Sequence, residues 1–122
     1  MDAETLLLRQ IHPGFIQNGR PTSQAFRPTP KDENQLSVYN EEKIAAAASW
    51  HYYTETLHLE SAGVLALNHA ECVGQQLKVI EDGVPIPAHC YIDFSGVSKS
   101  DAEKKSKRLA AFAKNRSWLF QP

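Results

Sequence analysis

The stretch Asn40–Leu57 constrains the fold of this chain more than any other. It reads Asn-Glu-Glu-Lys-Ile-Ala-Ala-Ala-Ala-Ser-Trp-His-Tyr-Tyr-Thr-Glu-Thr-Leu. Asn40 suits a helix N-cap, because its side-chain oxygen can accept from the free amides of the first turn. Glu41 and Glu42 then stand where the helix dipole favours negative charge. The four alanines Ala45–Ala48 are the best helix formers. Ala46, Trp50, Tyr53 and Leu57 recur at helical spacing and make one apolar face. A central helix over about 41–57 is expected, and the rest of the chain must supply the surface that covers it.

The flanking segments read as short strands. Thr5–Ile11 suits a strand, with a short helix as the alternative for its leucines. His12-Pro13-Gly14 interrupts any regular element. From there to Pro30 the chain reads as a long ordered loop, pinned by Phe15 and Phe26. A strand pair is expected about Asn18-Gly19, the strongest two-residue hairpin signal. Gln35–Tyr39, Gly63–Leu67 and Leu77–Ile80 are further short strands. Ala88–Phe94 alternates, with Cys90, Ile92 and Phe94 on one face. Asn68 and Glu71 form an Asn-x-x-Glu cap for a short helix near His69–Gln75. Ser100 and Glu103 suggest a capping box for a final helix, about 101–114. Trp118, Leu119 and Phe120 should return onto the body. The expected class is α+β: a small mixed sheet packed against the central and C-terminal helices.

Composition sets the broader bounds. At 122 residues the chain matches one globular domain over 1–122. With 42% hydrophobic and 22% charged residues it should fold without staples. No apolar run reaches the roughly 18 residues of a membrane span. The start is acidic, with Asp2 and Glu4 before only three leucines, the reverse of a signal peptide. A soluble, cytoplasmic protein with reduced Cys72 and Cys90 is the expectation.

The net charge of −1 hides a segregation. Residues 9–31 hold Arg9, Arg20, Arg27 and Lys31 and no acid. Residues 32–98 hold ten acids against Lys43 and Lys78. Residues 99–116 hold seven bases against Asp101 and Glu103. Such blocks either steer a partner or neutralise one another on folding.

Candidate chemistry follows the basic blocks. Arg9, Arg20, Ser23 and Arg27 offer forked donors and a hydroxyl suited to phosphate or carboxylate, with His12 as a candidate acid or base. Lys104, Lys107 and Arg108, together with Lys114, form a basic helix face that can lie along an anionic polymer. His51, Glu55 and His58 share a helix face at metal-ligand spacing, but no fourth ligand is apparent. His89 should point away from Cys90 across its strand, and no nucleophile signature surrounds either cysteine. No phosphate-loop or dinucleotide glycine pattern is present. No metal or cofactor is called for.

Arg9 and His12 about the first strand, followed by Ser37 and Tyr39 in the next, resemble the start of ADP-ribosyltransferase-type folds. That resemblance implies a nucleotide-acting enzyme whose catalytic glutamate would be Glu60 or Glu71. The residues themselves favour a binding module for a protein partner, a further copy of the chain, or an anionic ligand. The alternatives are a small enzyme acting on a nucleotide or nucleic acid, and a non-catalytic nucleic-acid binder. An enzyme requires Arg9, His12 and Arg27 to meet in one pocket. A nucleic-acid binder requires Arg20, Arg27 and the C-terminal basic face to form one surface.

Overall fold

The computed structural model describes residues 1–122 and is built on an apolar strand rather than on the alanine-rich helix. Strand β1 (Leu6–Gln10) has neighbours on both sides. It lies between β4 (Gln35–Asn40) and β5 (Val64–Asn68). Strand β7 (His89–Asp93) and then β6 (Lys78–Ile80) complete a five-stranded sheet in the order β5-β1-β4-β7-β6. The expected α+β class holds, but every pairing is antiparallel, so the sheet is not mixed. The physical reason is that β1 inserts between β4 and β5, the two strands that a helical crossover would otherwise set side by side in parallel. The small hairpin of β2 (Ile16–Gln17) and β3 (Arg20–Pro21) turns at Asn18-Gly19, as the sequence predicts. Both turn residues take positive φ, 51° and 76°.

The period of two splits the core between the sheet faces. Leu7, Val38, Leu65, Leu67, Cys90 and Ile92 belong to the larger cluster. Helix α3 (Lys99–Arg116) covers it with Leu109, Ala110 and Ala113, beside Phe26 from the 3-10 turn Ser23–Phe26. Leu8, Tyr39, Val64 and Ala66 lie on the opposite face beneath Ala46, Trp50 and Tyr53. Each fully buried leucine contributes about 2 kcal/mol through apolar burial.

The central helix is shorter than the sequence suggests. Helix α1 covers Ala46–His51 and continues as a π-helical turn over Tyr52–Thr56. Asn40 does not cap it. Its N–H is taken by the Ala88 carbonyl in the sheet, and its Oδ1 accepts from Glu42 N–H in the following turn. Strand pairing therefore wins over the cap at that position. A buried network anchors α1 to the sheet: Gln10 Nε2 donates to Ser49 Oγ at 3.0 Å, and Ser61 Oγ donates to Gln10 Oε1 at 2.8 Å.

Helix α2 (His69–Gly74) has the expected capping box between Asn68 and Glu71. Helix α3 begins earlier than predicted. Its N-cap is Ser98, whose Oγ accepts from Asp101 N–H, and it runs on to Arg116. The outer edge of β5 is sealed by the C-terminal residues. Val64 N–H donates to the Phe120 carbonyl, Leu119 N–H donates to the Val64 carbonyl, and Arg116 donates to the Ala66 carbonyl at 2.9 Å. At Gly63 an added Cβ would stand 2.8 Å from the Phe120 carbonyl oxygen and 2.9 Å from the Trp118 ring, so the returning tail leaves room only for glycine. Cys72 and Cys90 are both free and buried in the larger cluster. No helix is long and apolar enough to cross a membrane.

Candidate functional site

The segment from Arg20 to Arg27 runs alongside α3. Ser106 Oγ, buried in the helix, donates to the Phe26 carbonyl at 3.0 Å. Arg27 meets Glu103 at 3.1 Å. At the far end Arg20 and Lys114 line one groove. The two basic segments thus pack against each other as well as onto the middle of the chain. Three α3 bases reach across to that middle: Arg116 forms a forked pair with Glu71 at 3.0 and 3.1 Å, and Lys105 and Arg108 donate to Gln75.

Helical spacing sets Lys99, Glu103 and Lys107 on successive turns of the α3 flank beside the loop, with Lys114 two turns further on. Glu103 is the only acid among them and is matched by Arg27. Arg20, Lys99, Lys107 and Lys114 form no ion pair. The flank is about 22 Å long, from the helical rise between Lys99 and Lys114. A concavity opens at each end. One is a cleft of about 750 Å³ lined by Arg27, Lys99, Pro28 and Pro30, with Phe15 and Phe94 in its wall. The other is a groove of about 380 Å³ lined by Arg20, Lys114, Pro21, Leu65 and Trp118.

The remaining predicted residues fall in different places. Arg9 is turned into the fold, its Nε donating to the Ala25 carbonyl at 2.8 Å and a terminal nitrogen donating to the Ser37 carbonyl at 3.0 Å. Strands β1 and β4 pair only at Leu7–Asn40 and Leu8–Tyr39. The Arg9 guanidinium bridges the place where they part, and burial pulls its pKa down. His12 Nδ1 accepts from Gly14 N–H at 2.8 Å, and its Nε2 lies 3.5 Å from Glu60. Ser23 opens the 3-10 turn and does not line the cleft. Of Arg9, His12 and Arg27, only Arg27 faces the cleft, so the three do not converge. Lys104, Lys107 and Arg108 are all exposed. They spread across the outer arc of α3, with Lys107 nearest the loop and Arg108 reaching Gln75 beside α2.

The ADP-ribosyltransferase-like elements separate likewise. Tyr39 is buried against Tyr52 and His89 on the α1 face, whereas Arg9 points to the α3 side. His51 and Glu55 contact each other, while His58 ends that helix at a φ of 55°. A further polar pair, His89 Nδ1 and Asp82 Oδ1 at 2.6 Å, closes the hairpin before β7. Trp118 and Phe120 return onto the body as expected and are half-buried, Phe120 against Trp50 with ring centroids 5.6 Å apart. Sequence reasoning missed Lys99, Phe15 and Trp118 as lining residues. The spacing of Lys99 with Lys107 and Lys114 was the available signal, but only packing reveals which flank faces the loop. Compared with protein-family models, with curated proteins and with solved structures, the chain matches none.

Proposed function

We propose that this chain is a non-catalytic binding module that takes an anionic ligand along the seam between α3 and the Arg20–Lys31 segment. The observation that carries the reading is the side-by-side packing of the two basic segments, which leaves Arg20, Lys99, Lys107 and Lys114 unpaired beside two concavities. Uncompensated like charge costs stability unless a counter-charge arrives, so a surface of this kind is best suited to an anion. The ligand belongs to a reducing, cytoplasmic setting on the same proposal, consistent with two free buried thiols. The enzymatic alternative has less behind it, because Arg9 and His12 are occupied by protein partners.

Thermal denaturation with sodium tripolyphosphate at low ionic strength tests the proposal. Ligand at a hundred times its Kd should stabilise the fold by about 2.7 kcal/mol. The Lys107→Ala/Lys114→Ala variant should lose most of that gain, and Lys43→Ala, on the acidic segment, should keep it. Equal stabilisation of all three proteins, or of none, would sink the idea.

A further inference from the structure

The geometry points to single-stranded nucleic acid as the ligand of the seam, an inference that rests on the anionic-ligand reading above. The first argument is shape. The unpaired bases are strung along about 22 Å of one helix flank rather than gathered in a nest, so they match a linear anion. Lys99 to Lys107 and Lys107 to Lys114 are about 10–12 Å apart along the helix axis, or about one cation for every three phosphates of a stacked strand.

The second argument is what lies at the two ends. Each carries half-buried aromatic surface beside cations: Phe15 with Arg27 and Lys99 in the cleft, and Trp118 with Arg20 and Lys114 in the groove. A bare polyphosphate has no use for such walls, whereas an unpaired base has a π-face to lay on them. The third argument is access. Two concavities flank the contact between α3 and the loop, and each is edged by an exposed lysine, within reach of a flexible strand. Acids at the seam are already committed, Glu103 to Arg27 and Asp32 to the N–H and hydroxyl of Thr29. With stacking surfaces and backbone cations, the seam should accept many sequences.

The test uses fluorescein-labelled U12 RNA and dT12 DNA, the matching duplex, and unlabelled tripolyphosphate as competitor. A Trp50→Phe background makes Trp118 the sole indole. Expected are tighter anisotropy binding of either single strand than of duplex, and quenching of Trp118. About four phosphate contacts on a single strand should give log K falling with log salt at a slope near −3. Lys107→Ala/Lys114→Ala should lower affinity at least tenfold and bring the slope to about −1.4, with an unchanged circular-dichroism melt. The U12 and dT12 arms separate RNA from DNA. Tripolyphosphate displacing both strands at equal phosphate, without any Trp118 quench, would overturn the nucleic-acid inference and leave the anionic-ligand reading standing. No binding of any probe at low salt would overturn both.

Discussion

Cys72 and Cys90 lie in the larger core cluster, 0% and 1% exposed. Burial disfavours a thiolate, and the acids Glu71 near Cys72 and Glu81 near Cys90 add to the effect. Their pKa values rise from an ordinary 9.0 to about 12 and about 11. Tyr39, raised by burial and then by Tyr52 and Tyr53, moves from 10.0 to about 12. In all three the neutral form is favoured in the folded state. The unfolded chain therefore loses these protons first as pH rises, and stability is complete below pH 9 and declines from there toward pH 12. A melt series from pH 7 to 11 should show the midpoint flat to about pH 9 and then falling. At pH 8 a thiol-reactive disulfide reagent should leave both native cysteines untouched and titrate two after unfolding. Rapid native labelling of either would contradict their burial. The same scale explains Arg9. Its residue type suggests an anion site, but only the parting of β1 from β4 gives it two carbonyls to serve.

Helix α3 shows how far local rules reach at the scale of the element. Both Ser98 and Ser100 are chemically fit to cap it, since each precedes helix-forming residues and each has an acid three positions on. The backbone chooses Ser98, with φ −64° and ψ 158°, and its Oγ accepts from Asp101 N–H at 3.2 Å. Ser98→Ala should cost about 1 kcal/mol in chemical denaturation, and Ser100→Ala a few tenths at most. The reverse order would place the helix start where the sequence alone suggested. Helix α1 follows a different logic, because its expected cap belongs to β4. Asn40 could satisfy either element, and the sheet, with register from both β1 and β7, holds it more tightly.

For the molecule as a whole, the proposed binding surface sets charge against stability. The two basic segments sit side by side with one ion pair, Arg27 to Glu103, across their contact, so the free protein carries repulsion along the seam. Arg20→Glu, opposite Lys114 across the groove, should relieve it. The expected gain is a few tenths of a kcal/mol at low salt, vanishing near 0.5 M salt, as for other exposed pairs. The same substitution should weaken tripolyphosphate binding. A variant that loses stability at low salt while still binding normally would mean that Arg20 and Lys114 do not share a field. Opposed demands of this kind are common where a surface is kept for a partner.

By itself the sequence determined the elements whose signals are local. The period of two in Cys90–Phe94, the Asn-Gly turn, the Asn68–Glu71 box and the helical α3 stripe are all legible because the interactions that make them lie within a few residues. The α+β class follows from their order. Tertiary structure alone decided the insertion of β1 between β4 and β5, the claim of the sheet on Asn40, the inward turn of Arg9, and the meeting of the two basic segments. Those outcomes depend on contacts between residues dozens of positions apart, where burial and strand register outweigh local propensity.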